Sequence, residues 1–79
     1  MSNEELRDCL YILRFNYVLY EEKDSDIADS IKSVFGKYKQ MLELDDVPRK
    51  YITRLSKFIK TINTAEKQDI LKQSARIIG

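Results

Sequence analysis

Four stretches of the chain repeat apolar residues every three or four positions, a spacing that places them on one side of an α-helix. The third stretch has the cleanest pattern, because its apolar residues all fall within about 60° of Leu55 on a helical wheel. These residues are Tyr51, Ile52, Leu55, Phe58, Ile59 and Ile62. Because no alternation of apolar and polar residues extends over the length of a strand, the pattern predicts an all-α protein.

The first helix is predicted from about Glu4 to Lys23 and has apolar residues on two sides. Ser2 and Glu5 have the spacing of a capping box, and Asn3 is an alternative cap. One apolar group spans an arc of about 100° and is predicted to face the core. It consists of Leu6, Cys9, Leu10, Leu13, Tyr17 and Tyr20. On a different side, a second group follows at i, i+3 and i+7: Ile12, Phe15 and Leu19.

The second apolar group of this helix has two interpretations. It would form a partner-binding or dimer face if no other helix covered it. Alternatively, it would pack against a second neighbour, because a helix in a bundle touches two others, and this interpretation is favoured. Tyr11 lies nearer the charged side and is predicted to be an exposed contact.

Capping residues also bound the second and third helices. The run Asp24-Ser25-Asp26 supplies caps for the second helix, which is predicted to extend to about Leu42. Asp46 is the predicted N-cap of the third helix, and Pro48 fits its first turn, where a missing N–H costs little. This helix is predicted to end near Ile62.

The fourth helix is predicted to be capped by Asn63 or Thr64. Its predicted packing residues are Ile70, Leu71, Ile77 and Ile78. Gly36 interrupts the second helix, where it would allow a neighbouring helix to approach closely. Short connections favour antiparallel neighbours, so the chain is predicted to form an antiparallel up-down-up-down four-helix bundle. With only 79 residues, the bundle forms a single domain over residues 1–79.

Charge is distributed unevenly although the net charge is only +1. Residues 1–30 contain eight acids and three bases, a net −5, and residues 31–79 contain eleven bases and five acids, a net +6. The favoured interpretation is solubility, with the two halves attracting each other across the bundle. Electrostatic steering of a partner is the alternative.

The third helix carries the most concentrated positive charge, opposite its apolar side. The cations are Arg49, Lys50, Arg54, Lys57 and Lys60, and no acid occurs between Val47 and Ile62. Such a face would bind phosphates or an anionic membrane. A solvated face balanced by the acidic half is favoured instead, because no aromatic residue interleaves with the cations. A helix-turn-helix reader of DNA is less favoured, because the helices are too long and too evenly spaced.

Candidate catalytic chemistry is sparse. The chain has no histidine, and its single cysteine, Cys9, allows neither an intrachain disulfide nor a thiolate metal cage. No glycine-rich phosphate loop occurs, and the run after Asp24 lacks the glycine and glutamate of a calcium loop. The sequence therefore predicts a binding protein that is not an enzyme and that has no cofactor and no metal.

The predicted location is the cytoplasm, extending to the inner face of the membrane. The N-terminal residues are acidic, unlike the basic start of a signal peptide, and no apolar run approaches the length of a membrane span. A lone cysteine agrees with a reducing compartment. The oligomeric state expected is a monomer or a weak homodimer.

Several short segments together resemble a known family. They are Asp26-Ile27, Phe35-Gly36-Lys37-Tyr38-Lys39, Leu44-Asp45-Asp46-Val47-Pro48, Ile52-Thr53-Arg54-Leu55 and Phe58-Ile59. In these segments the chain resembles the small cytosolic immunity proteins that protect producers of pediocin-like (class IIa) bacteriocins, which are antiparallel four-helix bundles of similar size. The resemblance is strongest from Asp26 to Gly79.

The resemblance implies a function and some structural roles. It implies that Pro48 marks the entry to the third helix and that Arg54 and Leu55 fix that helix. It also implies resistance to an antimicrobial peptide, through binding of a bacteriocin-loaded sugar permease of the mannose phosphotransferase type from the cytosolic side. The alternatives are a phage- or plasmid-type regulatory protein that inhibits a host protein through the first helix, and a nucleic-acid-associated helical protein. Nucleic acid is the least favoured partner.

Overall fold

In the computed structural model, the described residues form four α-helices and one short 3₁₀ helix. The structure describes the backbone of residues 2–44 and 46–79, and the side chains of these residues except 2 and 3. The α-helices are α1 (Ser2–Lys23), α2 (Ser25–Lys39), α3 (Arg49–Thr64) and α4 (Lys67–Ile78), and the 3₁₀ helix covers Gln40–Glu43. No strand occurs in the described residues, which confirms the predicted all-α class.

A single extended residue, Asp24, separates α1 from α2. Its backbone angles are φ −157° and ψ 101°, and its Oδ1 accepts hydrogen bonds from the backbone N–H groups of Asp26 (3.1 Å) and Ile27 (3.4 Å). These bonds satisfy two of the donors that the first turn of a helix leaves without an intrahelical acceptor. The predicted capping run is therefore confirmed.

The predicted N-cap of α3 is wrong. Pro48 itself is the N-cap residue, and the first helical residue is Arg49, so Asp46 lies outside the helix. The proline ring disfavours helical geometry in the residue before it, so Val47 stays non-helical and its side chain is buried in the core. The capping box of the first helix involves Ser2 and lies outside the described side chains.

The predicted caps of the fourth helix are also wrong. Asn63 and Thr64 form the last turn of α3, where their side chains donate to the carbonyl oxygens four residues earlier, at 3.1 and 2.8 Å. Because this local bonding satisfies both side chains inside the helix, α3 continues beyond Ile62. The N-cap of α4 is Glu66, and it makes no side-chain capping bond.

Each α-helix contacts two others. α1 packs closely against α2 and α3, and α4 packs closely against the same two, whereas the backbones of α1 and α4, and those of α2 and α3, do not approach each other closely in the described residues. The link over residues 40–48 is long enough to join helices whose backbones are not adjacent. Consecutive helices are therefore neighbours for the first and third connections only.

Contacts near the helix ends show which ends lie together. At their N-terminal ends, α1 and α3 are joined by an ion pair between Glu5 and Arg49. Towards their C-terminal ends, the Tyr20 hydroxyl lies 3.5 Å from the Ile62 carbonyl oxygen. Lys67 of α4 joins the start of α2, and the Lys37 ammonium donates to a carbonyl of the last α4 turn.

The buried apolar side chains form one continuous cluster. Its members are Leu6, Leu10, Leu13, Ile27, Ile31, Val34, Tyr38, Val47, Ile52, Leu55, Phe58, Ile62 and Ile70. The predicted core sides of α1 and α3 are confirmed, with Cys9, Tyr17 and Tyr20 packed at the edge of the cluster. In α4 only Ile70 is fully buried among the predicted residues, and Ile78 is exposed because it ends the helix beyond the core.

Gly36 should be replaceable with a gain in stability. An added Cβ atom would meet nothing within 4 Å, so the expected close approach of a neighbouring helix is wrong. Because glycine in a helix interior costs about 1 kcal/mol relative to alanine, Gly36→Ala should raise the free energy of unfolding by roughly 0.5–1 kcal/mol. Urea denaturation measures this, and a loss of stability would contradict the open surroundings.

Candidate functional site

The outward side of α1 is apolar and exposed. Its large side chains, which we name the outer strip, are Tyr11, Ile12, Phe15, Val18 and Leu19, with exposed fractions between 44% and 71%. At 100° per residue, they fall within an arc of about 120°. The favoured prediction that Ile12, Phe15 and Leu19 pack against a second neighbour is wrong. The predicted exposure of Tyr11 is confirmed.

The position of α1 in the bundle explains this exposure. Its two neighbours, α2 and α3, both pack on the side of the helix that carries Leu6, Leu10 and Leu13, so no third helix remains to cover the strip. The strip ends in carboxylates at both ends of α1. Glu4, Asp8 and Glu22 lie on the same arc and are exposed.

A groove between α1 and α2 borders the outer strip. We name it the outer groove. It is lined by three exposed cations, Arg14, Lys32 and Lys39, and by the half-buried aromatic rings of Tyr17 and Phe35. The apolar periodicity of α1 and α2 did not predict this groove. Its only signal was the spacing of Lys32, Phe35 and Lys39 at i, i+3 and i+7 beside the core side of α2.

The predicted basic residues of α3 are all exposed: Arg49, Lys50, Arg54, Lys57 and Lys60. Arg49 is engaged by Glu5 of α1. The other four have no ion pair among the described residues. The structure therefore keeps four of the five predicted cations available to an anionic partner.

An aromatic ring lies among the α3 cations, contrary to the sequence-based expectation. The Lys50 ammonium nitrogen lies 5.3 Å from the centre of the Tyr51 ring, and the Arg54 guanidinium carbon lies 5.9 Å from it. Tyr51 is half-buried and packs edge-on against Tyr38, with ring centres 6.4 Å apart. Because the ring sits between the core and the two cations, it orients them by cation–π attraction.

A second groove, between α3 and α4, extends this basic surface. Arg54 and Lys57 line it from α3, and Gln73, Arg76 and Ile77 line it from α4. The position of Arg76 beside the α3 cations could not be predicted from the sequence, because the pairing of the two helices decides which α4 residues lie there.

The ion pairs among the described residues join the acidic half of the chain to the basic half. Besides the Glu5–Arg49 pair, the Lys67 ammonium lies 3.0 Å from an oxygen of Asp24 and 3.2 Å from one of Asp26. The hydrogen bond from Lys67 lowers the pKa of Asp24 below its ordinary value of 3.8, and the backbone N–H groups of Ile27 and Asp26 act in the same direction. The same contacts raise the pKa of Lys67 above 10.5.

Acid should therefore weaken the contacts that Lys67 of α4 makes with Asp24 and Asp26 at the start of α2. A carboxyl with a lowered pKa in the folded state contributes stability that is present above 3.8 and is lost as the pH falls through the lowered pKa. Thermal unfolding from about pH 6 to about pH 2.5 measures the loss. Asp24→Asn keeps an oxygen at the N-cap but has no carboxyl to protonate, so it should reduce the loss of thermal stability at low pH. If that variant lost as much stability between about pH 6 and about pH 2.5 as the wild type, the acid sensitivity would not come from Asp24.

The described residues contain no group of three or more His, Cys, Asp or Glu side chains that could hold a metal ion. Cys9 is half-buried, with its Sγ 3.6 Å from the Ser56 hydroxyl oxygen. None of the described helices has the length and apolar character to cross a bilayer.

No protein-family model, curated protein or solved structure matches the chain.

Proposed function

We propose that the protein acts by binding another protein, and that the outer strip of α1 is the contact surface. One observation carries this proposal: five large apolar side chains lie exposed on one face of a single helix. Contiguous apolar patches of this kind mark interaction sites, since burying them removes apolar area from water. Tyr11 and Phe15, which are the most exposed, are the residue types that dominate binding energies at protein interfaces.

The specific form of this proposal is bacteriocin immunity. The partner would be a bacteriocin-loaded permease complex, approached from the cytoplasm, as the resemblance to class IIa immunity proteins implies. The helical content, the entry to α3 at Pro48 and the burial of Leu55 support this proposal. The exposed α3 cations Lys50, Lys57 and Lys60 would add peripheral attraction to anionic lipid.

The same proposal includes the arrangement of the helices. We propose an up-down-up-down antiparallel bundle in which the protein is a monomer or a weak homodimer. The contacts between Glu5 and Arg49, and between Lys67 and the start of α2, support these helix directions. In this arrangement α1 lies at a corner of the bundle, which leaves its outer strip open to a partner.

A protection assay tests the function. The chain is expressed in a strain sensitive to class IIa bacteriocins, which is then challenged with a panel of them. We expect selective survival against one or a few bacteriocins, loss of survival with Phe15→Asp, and full survival with Ser33→Asp. The control variant adds the same carboxylate to an exposed position of α2, away from the strip.

Two results would contradict parts of the proposal. Absence of protection by folded, expressed wild-type protein would remove the immunity function. Full protection by Phe15→Asp would remove the strip as the contact surface. A phage- or plasmid-type regulator remains the alternative within protein binding, and it would be supported by a soluble host partner whose capture is lost in Phe15→Asp and retained in Ser33→Asp.

Nucleic-acid binding is the second candidate, favoured by the exposed cations of α3 without ion-pair partners. Binding through Lys50, Arg54, Lys57 and Lys60 would release counterions from the phosphate backbone, so affinity would fall steeply with salt. Titration of a DNA duplex at two salt concentrations distinguishes this function, because contact through the apolar strip depends little on salt.

A further inference from the structure

We infer that the occupant of the outer strip is an amphipathic helix of another protein with an acidic edge, whose carboxylates enter the outer groove. The cations Arg14, Lys32 and Lys39 would pair with that edge, while the strip packs on the apolar side of the helix. This inference rests on the proposed function, since it names the chemistry of the partner that the strip binds.

The three cations of the outer groove have no ion-pair partner among the described residues. No carboxylate oxygen of these residues lies within 4.0 Å of the charged groups of Arg14, Lys32 or Lys39. By contrast, Arg49 and Lys67 are both engaged by acids of the N-terminal half. The cations that border the outer groove therefore keep their full capacity to bind an anion from outside the chain.

The spacing of Lys32 and Lys39 along α2 matches the spacing of two acids along a partner helix. Lys32 and Lys39 are separated by two helical turns, or about 10.5 Å along α2. A helix that carries acids at positions i and i+7 presents two carboxylates with the same separation. The floor of the groove, formed by Tyr17 and Phe35, would accept the methylene groups of glutamate side chains and reduce the exposure of the ion pairs to water.

The charges at the ends of the strip argue against a second copy of this chain. If two α1 helices packed antiparallel about Phe15, Asp8 of one copy would face Glu22 of the other. If they packed parallel, each carboxylate would face its own equivalent. Both arrangements bring like charges together, which disfavours a homodimer formed through the outer strip.

The same carboxylates argue against a bilayer as the occupant. A flat anionic membrane that touched the strip would also approach Glu4, Asp8 and Glu22, which lie on the same arc and would be repelled. A helix with acids along only one edge would place its negative charge at the groove and away from these residues.

Two synthetic helical peptides of about 18 residues test the inference. Both carry the same leucine stripe, and they differ only at two edge positions seven residues apart, which are Glu in one peptide and Lys in the other. Fluorescence anisotropy at low salt measures their affinities. We expect the Glu peptide to bind about tenfold more tightly than the Lys peptide, as two exposed ion pairs in place of two like-charge contacts would allow.

Charge-reversed protein variants make the test specific. Lys32→Glu combined with Lys39→Glu should invert the preference, so that the Lys peptide binds more tightly. The matched control, Lys57→Glu combined with Lys60→Glu, changes the same net charge on α3 and should keep the preference for the Glu peptide. If both double variants lost the same affinity for the Glu peptide, the outer groove would not be the binding site of its carboxylates, since the peptide would then be attracted by net charge alone.

The remaining outcomes separate the inference from the proposed function. If both peptides bind with equal affinity and Phe15→Asp abolishes the binding of both, the inferred acidic edge of the partner is wrong, while the outer strip remains the contact surface. If neither peptide binds, or if Phe15→Asp changes nothing, the strip is overturned as well. Binding to vesicles of phosphatidylglycerol that is lost in Phe15→Asp, with no binding of either peptide, would overturn the helical partner in favour of a membrane.

Discussion

Leu55→Ala should reduce the free energy of unfolding by about 2–5 kcal/mol. Leu55 lies at the centre of the α3 core side and is fully buried, so the substitution removes buried methyl groups and leaves a cavity. A domain of this size is expected to have a total stability of about 5–10 kcal/mol, so the loss is a large share of it. Urea denaturation followed by circular dichroism measures the change.

Leu19→Ala is the matched control for this prediction. It makes the same substitution in a helix at a position that is 44% exposed, so it should change stability by less than about half a kcal/mol. A cost below about half a kcal/mol for Leu55→Ala would mean that α3 is not packed as the structure shows.

Tyr38→Ala should have a comparable or larger effect, about 3–5 kcal/mol. The Tyr38 side chain belongs to α2, is only 1% exposed, and packs edge-on against Tyr51 of α3. Because α2 and α3 make no backbone contact in the described residues, this aromatic pair links two helices across the centre of the bundle. Its loss should therefore lower the unfolding midpoint and weaken the cooperativity of unfolding.

Tyr38→Phe distinguishes the contribution of the ring to stability from that of the hydroxyl group. It should keep most of the stability, and a cost equal to that of Tyr38→Ala would contradict the role of the ring. Burial raises the pKa of the Tyr38 hydroxyl above its ordinary value of 10.0. Its stability contribution is therefore present below pH 10.0 and is lost as the pH rises through the raised pKa, and Tyr38→Phe should diminish this alkaline loss.

Periodicity alone was sufficient to predict the helices, because each core side repeats apolar residues at helical spacing over several turns. The boundaries were less predictable where polar side chains had two local choices. Asn63 and Thr64 are common at N-caps, yet here they bond back to their own helix. Asp24 was predicted correctly because an ionised carboxylate can only accept hydrogen bonds, so it cannot bond back to a carbonyl of its own helix and instead accepts from the first N–H groups of α2.

The candidate site was harder to predict, since it depends on which helices become neighbours. The helical wheel identified Ile12, Phe15 and Leu19 as a second apolar group, but exposure requires that α4 lie across the bundle from α1. The same applies to the outer groove, whose cations come from α1 and α2. A pattern within one helix cannot show how a neighbouring helix is rotated about its axis.

The absence of close backbone packing between α2 and α3 also affects how the chain could be divided. The domain consists of two helical hairpins, α1 with α2 and α3 with α4, whose covalent connection is the segment between Lys39 and Arg49. The first hairpin is net acidic and the second is net basic, and their shared core holds them together. Cleavage in this connection would therefore leave two oppositely charged fragments that can reassemble into the same core, and the same connection would act as the hinge if two chains exchanged hairpins.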